Sequence, residues 1–287
     1  MKLLVISGLS GSGKSIALQA LEDLNYYCVD NLPISLLLDF SVLMAARQSG
    51  RVMANVAVGI DSRNSEEELQ GFRAVMESIR NHGIETEIVF LEASNSVLLK
   101  RFSETRRKHP LTRKDTSLAA AITVERKLLG PIAVDADLCI DTSRSNVHQL
   151  RKLVRERVAQ RTTAATSTQF MSFGFKFGVP EDADFVFDVR CLPNPYWDPR
   201  LRLHTGKDKE IIDYLQGDPM VEAMYDDIRG FLQKWIAAFK EENRSYITIA
   251  LGCTGGQHRS VYMVERLAEF FKAHDDQILI RHRELVQ

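Results

Sequence analysis

The sequence predicts an α/β protein with two domains: an N-terminal parallel sheet covered by helices on both faces, and a smaller mixed α/β domain after it. Three observations lead to this prediction. The chain has 287 residues, 45% of them hydrophobic and 26% charged, which is typical of a soluble globular protein with room for two domains. Short β-branched runs alternate with longer amphipathic stretches from residue 1 to about 160. Beyond that point the composition changes, and six phenylalanines crowd residues 170–187.

The predicted elements of the first 160 residues follow from their hydrophobic periodicity. Five short apolar runs are typical of buried strands, at residues 3–7, 26–30, 52–61, 87–91 and 137–141. Six stretches carry apolar residues at helical spacing, at residues 14–24, 34–47, 65–80, 94–107, 117–129 and 146–160. Because neighbouring parallel strands need a crossover connection, this alternation predicts a parallel sheet wrapped by helices.

The second half is predicted to be a separate domain. Residues 161–168 lack large apolar side chains and follow the last long amphipathic helix of the first half. We therefore place the boundary there, with domains at 1–162 and 163–287. The region 170–187 is expected to be extended. Three helices and one strong strand are predicted beyond it, the helices at 209–215, 221–239 and 260–273 and the strand at 246–251.

Net charge and cysteine spacing exclude several classes of protein. The chain holds 37 Lys and Arg against 38 Asp and Glu, so bulk charge does not hold it to nucleic acid or lipid. The two halves differ in net charge. Residues 1–162 carry 22 basic and 19 acidic side chains, whereas residues 163–287 carry 15 basic and 19 acidic ones. The four cysteines form no CxxC pair, and neither a signal peptide nor a membrane-spanning run is evident, which predicts a cytoplasmic protein.

The first predicted strand runs directly into a phosphate-binding motif. Residues 8–15 fit G-x-x-x-x-G-K-[ST] between an apolar strand and an amphipathic helix, the context that this motif requires. The loop amides and the helix N-terminus would surround phosphates, Lys14 would reach the terminal ones, and Ser15 would hold Mg²⁺. A plain Gly/Ser turn is the structural alternative. The predicted nucleotide-binding residues are Gly8, Leu9, Ser10, Gly11, Ser12, Gly13, Lys14 and Ser15.

A P-loop enzyme also needs a carboxylate at the end of a neighbouring strand to hold Mg²⁺ through water. Asp61 closes the apolar run 56–60 and is the first choice. Glu92 and Asp30 also follow predicted strands and are rivals, because strand-end acids of a parallel sheet meet at one edge. A solvated acid that opens a loop is the alternative for each of them.

A basic segment covers the second half of the helix predicted at 94–107 and the residues that follow it. Residues 100–114 contain seven Lys or Arg. In a P-loop kinase such a segment is a lid whose arginines cover the phosphates. A solvated helix face is a second interpretation, and a site for an RNA backbone, at Arg106 and Arg107, is a third.

A second glycine-rich loop follows the predicted strand 246–251 and precedes a helix. Its amides, the helix N-terminus and Arg259 would bind a phosphate group. Cys253 and Arg259 also have the C-x5-R-S spacing of tyrosine phosphatases, in which a low-pKa thiolate attacks phosphorus. Against this, Gly252 stands where phosphatases usually have His, and no general-acid Asp can be assigned. A phosphosugar or phosphate site, a phosphatase site and a structural turn all remain open.

Six segments, taken together, carry a family resemblance. They are the P-loop and residues 27–33, 105–111, 172–176, 182–190 and 252–260. On these segments, which run along nearly the whole chain, the sequence resembles the RapZ (YvcJ) family of bacterial P-loop nucleotide-binding proteins. The resemblance implies ATP and GTP binding with slow hydrolysis, and a C-terminal domain that assembles homo-oligomers. In enteric members that domain also binds small regulatory RNA, presents it to RNase E and senses glucosamine-6-phosphate.

The resemblance also implies roles for particular residues. A second nucleotide-contacting stretch, for GTP, would comprise Asp61, Ser62, Arg63 and Asn64. The phosphosugar or anion site would comprise Arg190, Cys253, Thr254, Gly255, Gly256, His258, Arg259 and Ser260. Enteric relatives finish in a tail rich in Lys and Arg that contributes to RNA binding. Near the end of this chain the residues left for that role are Lys272, Arg281 and Arg283.

Three functional hypotheses follow. The first is a Mg²⁺-dependent ATPase and GTPase, with Lys14 and Asp61 as catalytic residues, whose nucleotide state controls a ligand-binding domain. The second is a non-catalytic RNA-binding adapter in which the P-loop is vestigial or regulatory. A small-molecule kinase is the third, by fold analogy alone.

Overall fold

The computed structural model of the chain describes residues 1–47, 55–105, 107–112, 116–159, 166–242, 244–273 and 277–285. The chain divides into two compact units, Met1–Gln160 and Arg161–Gln287, each built on its own sheet. Most of the predicted boundary segment, 161–168, lies outside the described residues.

The first unit contains a five-stranded parallel sheet. Its strands are β1 (Lys2–Gly8), β2 (Tyr27–Val29), β3 (Asn55–Gly59), β4 (Glu85–Glu92) and β5 (Leu138–Asp141). The order across the sheet is β2-β3-β1-β4-β5, so β1 is central, and its Ile6 pairs with Gly59 on one side and Val89 on the other. Because all strands run in the same direction, the loops that follow them meet at one edge of the sheet.

Helices connect these strands, as the sequence predicts for a parallel sheet. In the described part of the first unit the α-helices are α1 (Lys14–Glu22), α2 (Leu37–Arg47), α3 (Glu66–Asn81), α4 (Asn95–Thr105), α5 (Leu118–Leu128), α6 (Gly130–Val134) and α7 (Val147–Val154). The predicted fold class is confirmed for this unit. Two helices differ in detail: a 3-10 turn at Ile34–Leu36 precedes α2, and α7 continues as a π-helix over Arg155–Ala159. Of the strand predicted at 52–61, residues 52–54 lie outside the described residues.

The core of the first unit explains the apolar periodicity of its sequence. Leu3 and Val5 of β1, Val58 of β3 and Ile88 of β4 are at most 1% exposed and belong to one cluster with Phe72 of α3. At its end β1 lies very close to β4: Gly8 has φ +141°, and a Cβ there would collide with the carbonyl oxygen of Leu91. Glycine is therefore required where β1 passes into the phosphate-binding motif.

The second unit is built on a four-stranded parallel sheet. Its strands are β6 (Ser167–Gly174), β7 (Phe185–Asp188), β8 (Tyr246–Cys253) and β9 (Ile278–His282), in the order β7-β8-β6-β9. Its α-helices within the described residues are α8 (Lys209–Leu215), α9 (Pro219–Glu241) and α10 (Arg259–Lys272). The second domain is thus α/β, as predicted. Its phenylalanine-rich region divides into β6 and β7, separated by a 3-10 turn at Phe175–Phe177.

Strand β9 is the element of this unit that the sequence did not predict. It lies at the edge of the sheet, where Ile280 pairs with Phe170 of β6. Only its two ends, Ile278 and His282, are buried, so it lacks the alternation that identifies a half-buried strand. The run 278–280 is also shorter than the apolar runs that signal a buried strand.

A partly buried hydrogen-bond cluster joins β9 to α10. Glu265 of α10 accepts from His282 at 2.9 Å and pairs with Lys207 at 2.8 Å. The His282 hydrogen bond, with Lys207, outweighs burial and lowers the pKa of Glu265 from 4.5 to about 2. Because the folded-state pKa lies below the unfolded value, this stabilisation is complete above pH 4.5 and is lost as the pH falls towards 2.

Glu265→Gln is therefore expected to destabilise the second unit in a pH-dependent way. The carboxylate side chain is 33% exposed. After a discount for solvent screening, we expect the free energy of unfolding to fall by about 1 kcal/mol at about pH 7. The loss should be smaller at about pH 3.5. Both tryptophans of the chain, Trp197 and Trp235, lie in this unit, so denaturant unfolding followed by tryptophan fluorescence measures the difference. An equal loss at both pH values would contradict the assignment.

Candidate functional site

The P-loop connects β1 to α1 at the centre of the first sheet. Gly11 and Gly13 have φ of +86° and +111°, conformations that glycine adopts without strain. Gly13 caps α1 without any side-chain hydrogen bond, and because Ile16 N donates to the Gly13 carbonyl, the amides of Lys14 and Ser15 are the ones left for an anion. In the part of the chain that the structure describes, the buried Ser12 hydroxyl also has no hydrogen-bond partner. This cradle fits a bound phosphate group.

Lys14 holds its ammonium group against the base of the loop. Its Nζ donates to the carbonyl oxygen of Gly8 at 2.7 Å. Burial lowers the pKa of Lys14, and the charges of Asp61, Glu125 and Asp30 partly oppose this shift. The ammonium is therefore a half-buried cation among acidic side chains, and a phosphate group would add to its partners.

Asp61 lies just after β3, next to the P-loop. Its buried carboxylate accepts hydrogen bonds from Arg63, with Oδ2 2.6 Å from the guanidinium. Burial raises the pKa of Asp61, but the Arg63 hydrogen bonds and the Lys14 charge outweigh burial and hold it below its usual value. Asp61 is thus an ionised carboxylate beside the loop, which is a suitable Mg²⁺ ligand.

The rival acids occupy different positions. Asp30 lines the same cleft as Asp61. Glu92, in contrast, accepts a hydrogen bond from Arg126 at 3.0 Å and is not part of the cleft lining. Of the stretch predicted to contact GTP, Asp61 and Arg63 line the cleft, while Asn64 uses its side chain internally, on Ile34 N and Asp61 O.

An open cleft of about 690 Å³ surrounds the P-loop. The basic segment supplies part of its wall, with Arg101, Arg107 and Lys108 among the lining residues. Arg101 donates to Gly11 O at 2.9 Å and to Thr142 O at 2.6 Å, which joins α4 to the loop. This placement favours the lid interpretation over a solvated helix face. Arg106, Arg113 and Lys114 lie outside the described residues.

Beneath the P-loop lies a buried carboxylate that the sequence analysis missed. Glu125 of α5 accepts hydrogen bonds from Ser10, Ser62 and His109. Burial raises the pKa of Glu125, but the hydrogen bonds from His109, Ser10 and Ser62 outweigh it and place the pKa below its usual value. A signal was present: Glu125 falls on the apolar face of its helix, one turn after Ala121. Such a position is rarely occupied by an unpaired acid.

In the second unit, the loop after β8 brings the residues predicted for the second anion site together. Cys253 Sγ accepts from Gly256 N at 3.2 Å and lies 3.2 Å from Ser260 Oγ. Burial raises the pKa of this thiol, but the hydrogen bonds from Ser260 and Gly256 and the Arg259 charge outweigh burial and lower it. His258 caps α10 without a side-chain hydrogen bond, but the first-turn amide of Ser260 already bonds the Cys253 thiol, so only part of this helix N-terminus is left for an anion.

Arg259 is buried and joins this loop to the end of β7. Its guanidinium donates to the carbonyl oxygens of Arg190 and Leu192, at 2.8 and 3.0 Å, and reaches Thr254 Oγ1 at 3.4 Å. Arg259 Nε has no hydrogen-bond partner in the described part of the chain. Arg259, which was predicted to bind a phosphate, therefore has a structural role too.

The surroundings of the loop decide what chemistry it can perform. Arg190 pairs with Asp188 at 2.6 Å, and this hydrogen bond lowers the pKa of Asp188. Asp188 is therefore held as a carboxylate and is a poor proton donor for phosphatase chemistry. His258 is also buried, and burial lowers its pKa. The arrangement is better suited to binding an anion than to cleaving one.

Two charged residues near the loop were not assigned by the sequence analysis. Lys176 places its ammonium 4.0 Å from the position that a Cβ on Gly255 would take. Glu284 accepts from Gly174 N at 3.0 Å, and its carboxylate lies against Gly256. Lys176 was within reach of sequence reasoning, since it belongs to one of the segments that carry the family resemblance.

The residues predicted to bind RNA differ in their accessibility. Lys272 is exposed and lines a cleft of about 720 Å³ beside α10. Arg281 lies on β9 and is partly buried. The side chain of Arg283 is 6% exposed and donates to the carbonyl oxygens of Phe177 and Gly178. Arg283 is therefore committed to contacts within the unit.

Comparisons with known proteins match the whole chain. The model of the RapZ-like N-terminal domain matches residues 1–162, and that of the RapZ C-terminal domain matches residues 166–286. A nucleotide-binding protein of Thioalkalivibrio sulfidiphilus is 56% identical over 99% of this chain and 100% of its own length. A nucleotide-binding protein of Nitrosococcus oceani is 54% identical over the same shares of the two chains.

Solved structures resemble the chain over about half its length. A sugar kinase from Janibacter sp. matches 54% of this chain and 92% of its own, with 16% identity and a TM-score of 0.37. A shikimate kinase from Bacteroides thetaiotaomicron matches 54% of this chain and 96% of its own, with 14% identity and a TM-score of 0.34. Among the described residues, no helix has the length and hydropathy needed to cross a bilayer.

Proposed function

This chain belongs to the RapZ family, and on that premise we propose that it binds and hydrolyses ATP and GTP with Mg²⁺, while its second unit binds a phosphorylated ligand. The observation that carries the proposal is the P-loop itself. Its glycines, uncapped helix N-terminus and half-buried Lys14 form a cradle for phosphates within an open cleft. The relatives' description as nucleotide-binding proteins supports the same assignment.

The residues present fit Mg²⁺ as well as a nucleotide. Mg²⁺ is commonly held by one or two carboxylates together with substrate phosphates. Ser15 and Asp61 would hold it here, and Asp30 lines the same cleft. When bound, the ion would neutralise charge on the β- and γ-phosphates. Lys14 would contact the terminal phosphates, and the first-turn amides of α1 would orient them.

The experiment that tests this function is a titration of the full chain with labelled ATP and GTP, with Mg²⁺ and with EDTA. We expect saturable binding of both nucleotides that weakens without Mg²⁺, and slow release of inorganic phosphate. Absence of binding to both nucleotides would overturn the proposal. Binding without phosphate release would leave the non-catalytic adapter, in which the P-loop is regulatory, as the better hypothesis.

The second unit is proposed to bind glucosamine-6-phosphate or a related phosphosugar at residues 253–260. The N-terminus of α10, where the N-cap residue His258 makes no side-chain hydrogen bond, and the guanidinium of Arg259 support an anion there. Thr254 is exposed, and its hydroxyl lies beside that guanidinium, so it is accessible to a ligand phosphate. The ionised Asp188 argues against the phosphatase alternative.

Thr254→Val is expected to lower the affinity for glucosamine-6-phosphate about tenfold, because it removes a hydroxyl from the phosphate position. Isothermal titration of the full chain measures the change, and unphosphorylated glucosamine is expected not to bind. Thr123→Val, at an exposed position on α5, is the matched control and should leave this affinity unchanged. Equal affinity of wild type and Thr254→Val would contradict the assignment.

The partners of the protein are proposed from the family. By that analogy a homo-oligomeric, cytoplasmic adapter would bind small RNA and present it to RNase E. Lys272 and Arg281 are the candidate RNA contacts, because Arg283 is bound within the unit. Each phosphate contact that is lost should reduce the slope of log affinity against log salt concentration by about one. Filter binding of RNA to Lys272→Ala and Arg281→Ala at several salt concentrations would measure this slope.

A further inference from the structure

Glu125 is a buried carboxylate whose oxygens accept hydrogen bonds at all of their acceptor positions. Its side chain is 0% exposed. Ser10 N and His109 Nε2 lie 2.8 and 3.0 Å from Oε2, while the hydroxyls of Ser10 and Ser62 each lie 2.7 Å from Oε1. A carboxylate offers about four acceptor positions, and all of them are used here. An apolar residue would fill such a position at lower cost, so the carboxylate is explained by what it holds.

The tautomer of His109 follows from its two neighbours. Leu111 N donates to Nδ1 at 3.2 Å, so Nδ1 carries no proton. The Nε2 atom of the same ring must then carry the proton that it donates to Glu125. The ring is fully buried and packs on Phe102, with the ring centroids 5.2 Å apart. His109 is therefore fixed in position by both polar and apolar contacts.

Each segment that Glu125 holds carries a group of the nucleotide cleft. Ser10 belongs to the P-loop that presents Lys14. Ser62 directly follows Asp61. His109 directly follows Arg107 and Lys108, two exposed cations that line the cleft. The three anchored segments lie 115, 63 and 16 residues from Glu125 in sequence, so this single side chain joins parts that local structure does not hold together.

We propose that Glu125 is a positioning residue of the nucleotide site, which holds Arg107 and Lys108 beside the P-loop through His109. Its bonds to Ser10 and Ser62 fix the loop and the turn of Asp61 in the same register. This inference rests on the proposed nucleotide-binding function. It implies that the cations of the basic segment bind the phosphates of the nucleotide.

His109→Leu breaks this link and removes the donor while keeping a side chain of similar bulk. We expect nucleotide affinity to fall about tenfold, because the segment that carries the two cations loses its anchor. His109→Gln, whose amide can donate to Glu125, should restore most of the loss. Thermal unfolding without nucleotide identifies any variant whose fold has changed.

A double-mutant cycle separates positioning from general structural damage. If His109 acts through the cations, His109→Leu should cost little further affinity once Arg107→Ala and Lys108→Ala are present. Independent, additive losses would overturn the proposal. Arg107 and Lys108 are exposed, so their variants should fold, and wild-type affinity of the Arg107→Ala, Lys108→Ala protein would also overturn it.

The outcome distinguishes this inference from the proposed function. If the wild-type chain binds no nucleotide, the proposed function fails, and this inference fails with it. If the wild type binds and His109→Leu binds equally well, only the positioning role of Glu125 is overturned.

Discussion

Lys14→Ala is expected to reduce the affinity for both ATP and GTP by about 100-fold or more, which is the largest functional effect we predict. The ammonium group is the cation at the base of the loop, 2.7 Å from Gly8 O. Without it, phosphates would face Asp61 and Asp30 without the ammonium that lies among these carboxylates. Equilibrium binding of labelled nucleotides to the full chain measures the loss.

The fold is expected to survive this substitution. Lys14 lies at the start of α1, and its side chain donates to one carbonyl oxygen of the loop. Thermal unfolding should therefore change little. Lys127→Ala, at an exposed position on α5, is the matched control and should bind as the wild type does. Retained affinity in a folded Lys14→Ala protein would contradict nucleotide binding at this loop.

Arg259→Met is expected to lower the free energy of unfolding of the second unit by about 2–4 kcal/mol, which is the largest stability effect we predict. The substitution keeps much of the apolar volume but leaves the carbonyl oxygens of Arg190 and Leu192 without their donor. An unsatisfied buried carbonyl costs about 1–3 kcal/mol. The connection between α10 and the end of β7 is thereby lost.

Tryptophan fluorescence during denaturant unfolding measures this effect, because Trp197 and Trp235 both lie in the second unit. Arg200→Met is the control: its side chain is 88% exposed and pairs with Asp198 at the surface. We expect a change of about 0.5 kcal/mol or less there. If the two variants were equally stable, Arg259 would have no structural role and its buried contacts would be misassigned.

The sequence predicted well those features that are encoded locally. The P-loop motif, its strand and its helix are adjacent in sequence, so their spacing alone predicts Lys14 in a cradle. The position of Asp61 beside the loop was expected for a different reason, since strand-end acids in a parallel sheet share an edge. The three helices predicted in the second half also correspond to α8, α9 and α10.

Contacts that depend on long-range packing could not be predicted. Glu125 is brought under the P-loop by α5, and its contact with Ser10 spans 115 residues. Arg259 was predicted to face a phosphate. Its hydrogen bonds to two carbonyl groups could not be predicted, because these groups belong to the loop after β7, which is distant in sequence. Strand β9 was missed because an edge strand needs little apolar surface once its partner β6 is in place.

The pairing of β6 has a consequence for the synthesis of the chain on the ribosome. All eight residues of β6 are buried, yet its neighbours in the sheet are β8 and β9. It therefore emerges long before either partner, and its second neighbour is complete only after residue 282. A nascent chain therefore carries an unpaired strand, with Phe170, Met171 and Phe173 uncovered, for most of the translation of this unit, and unpaired strand edges of this kind are prone to aggregation.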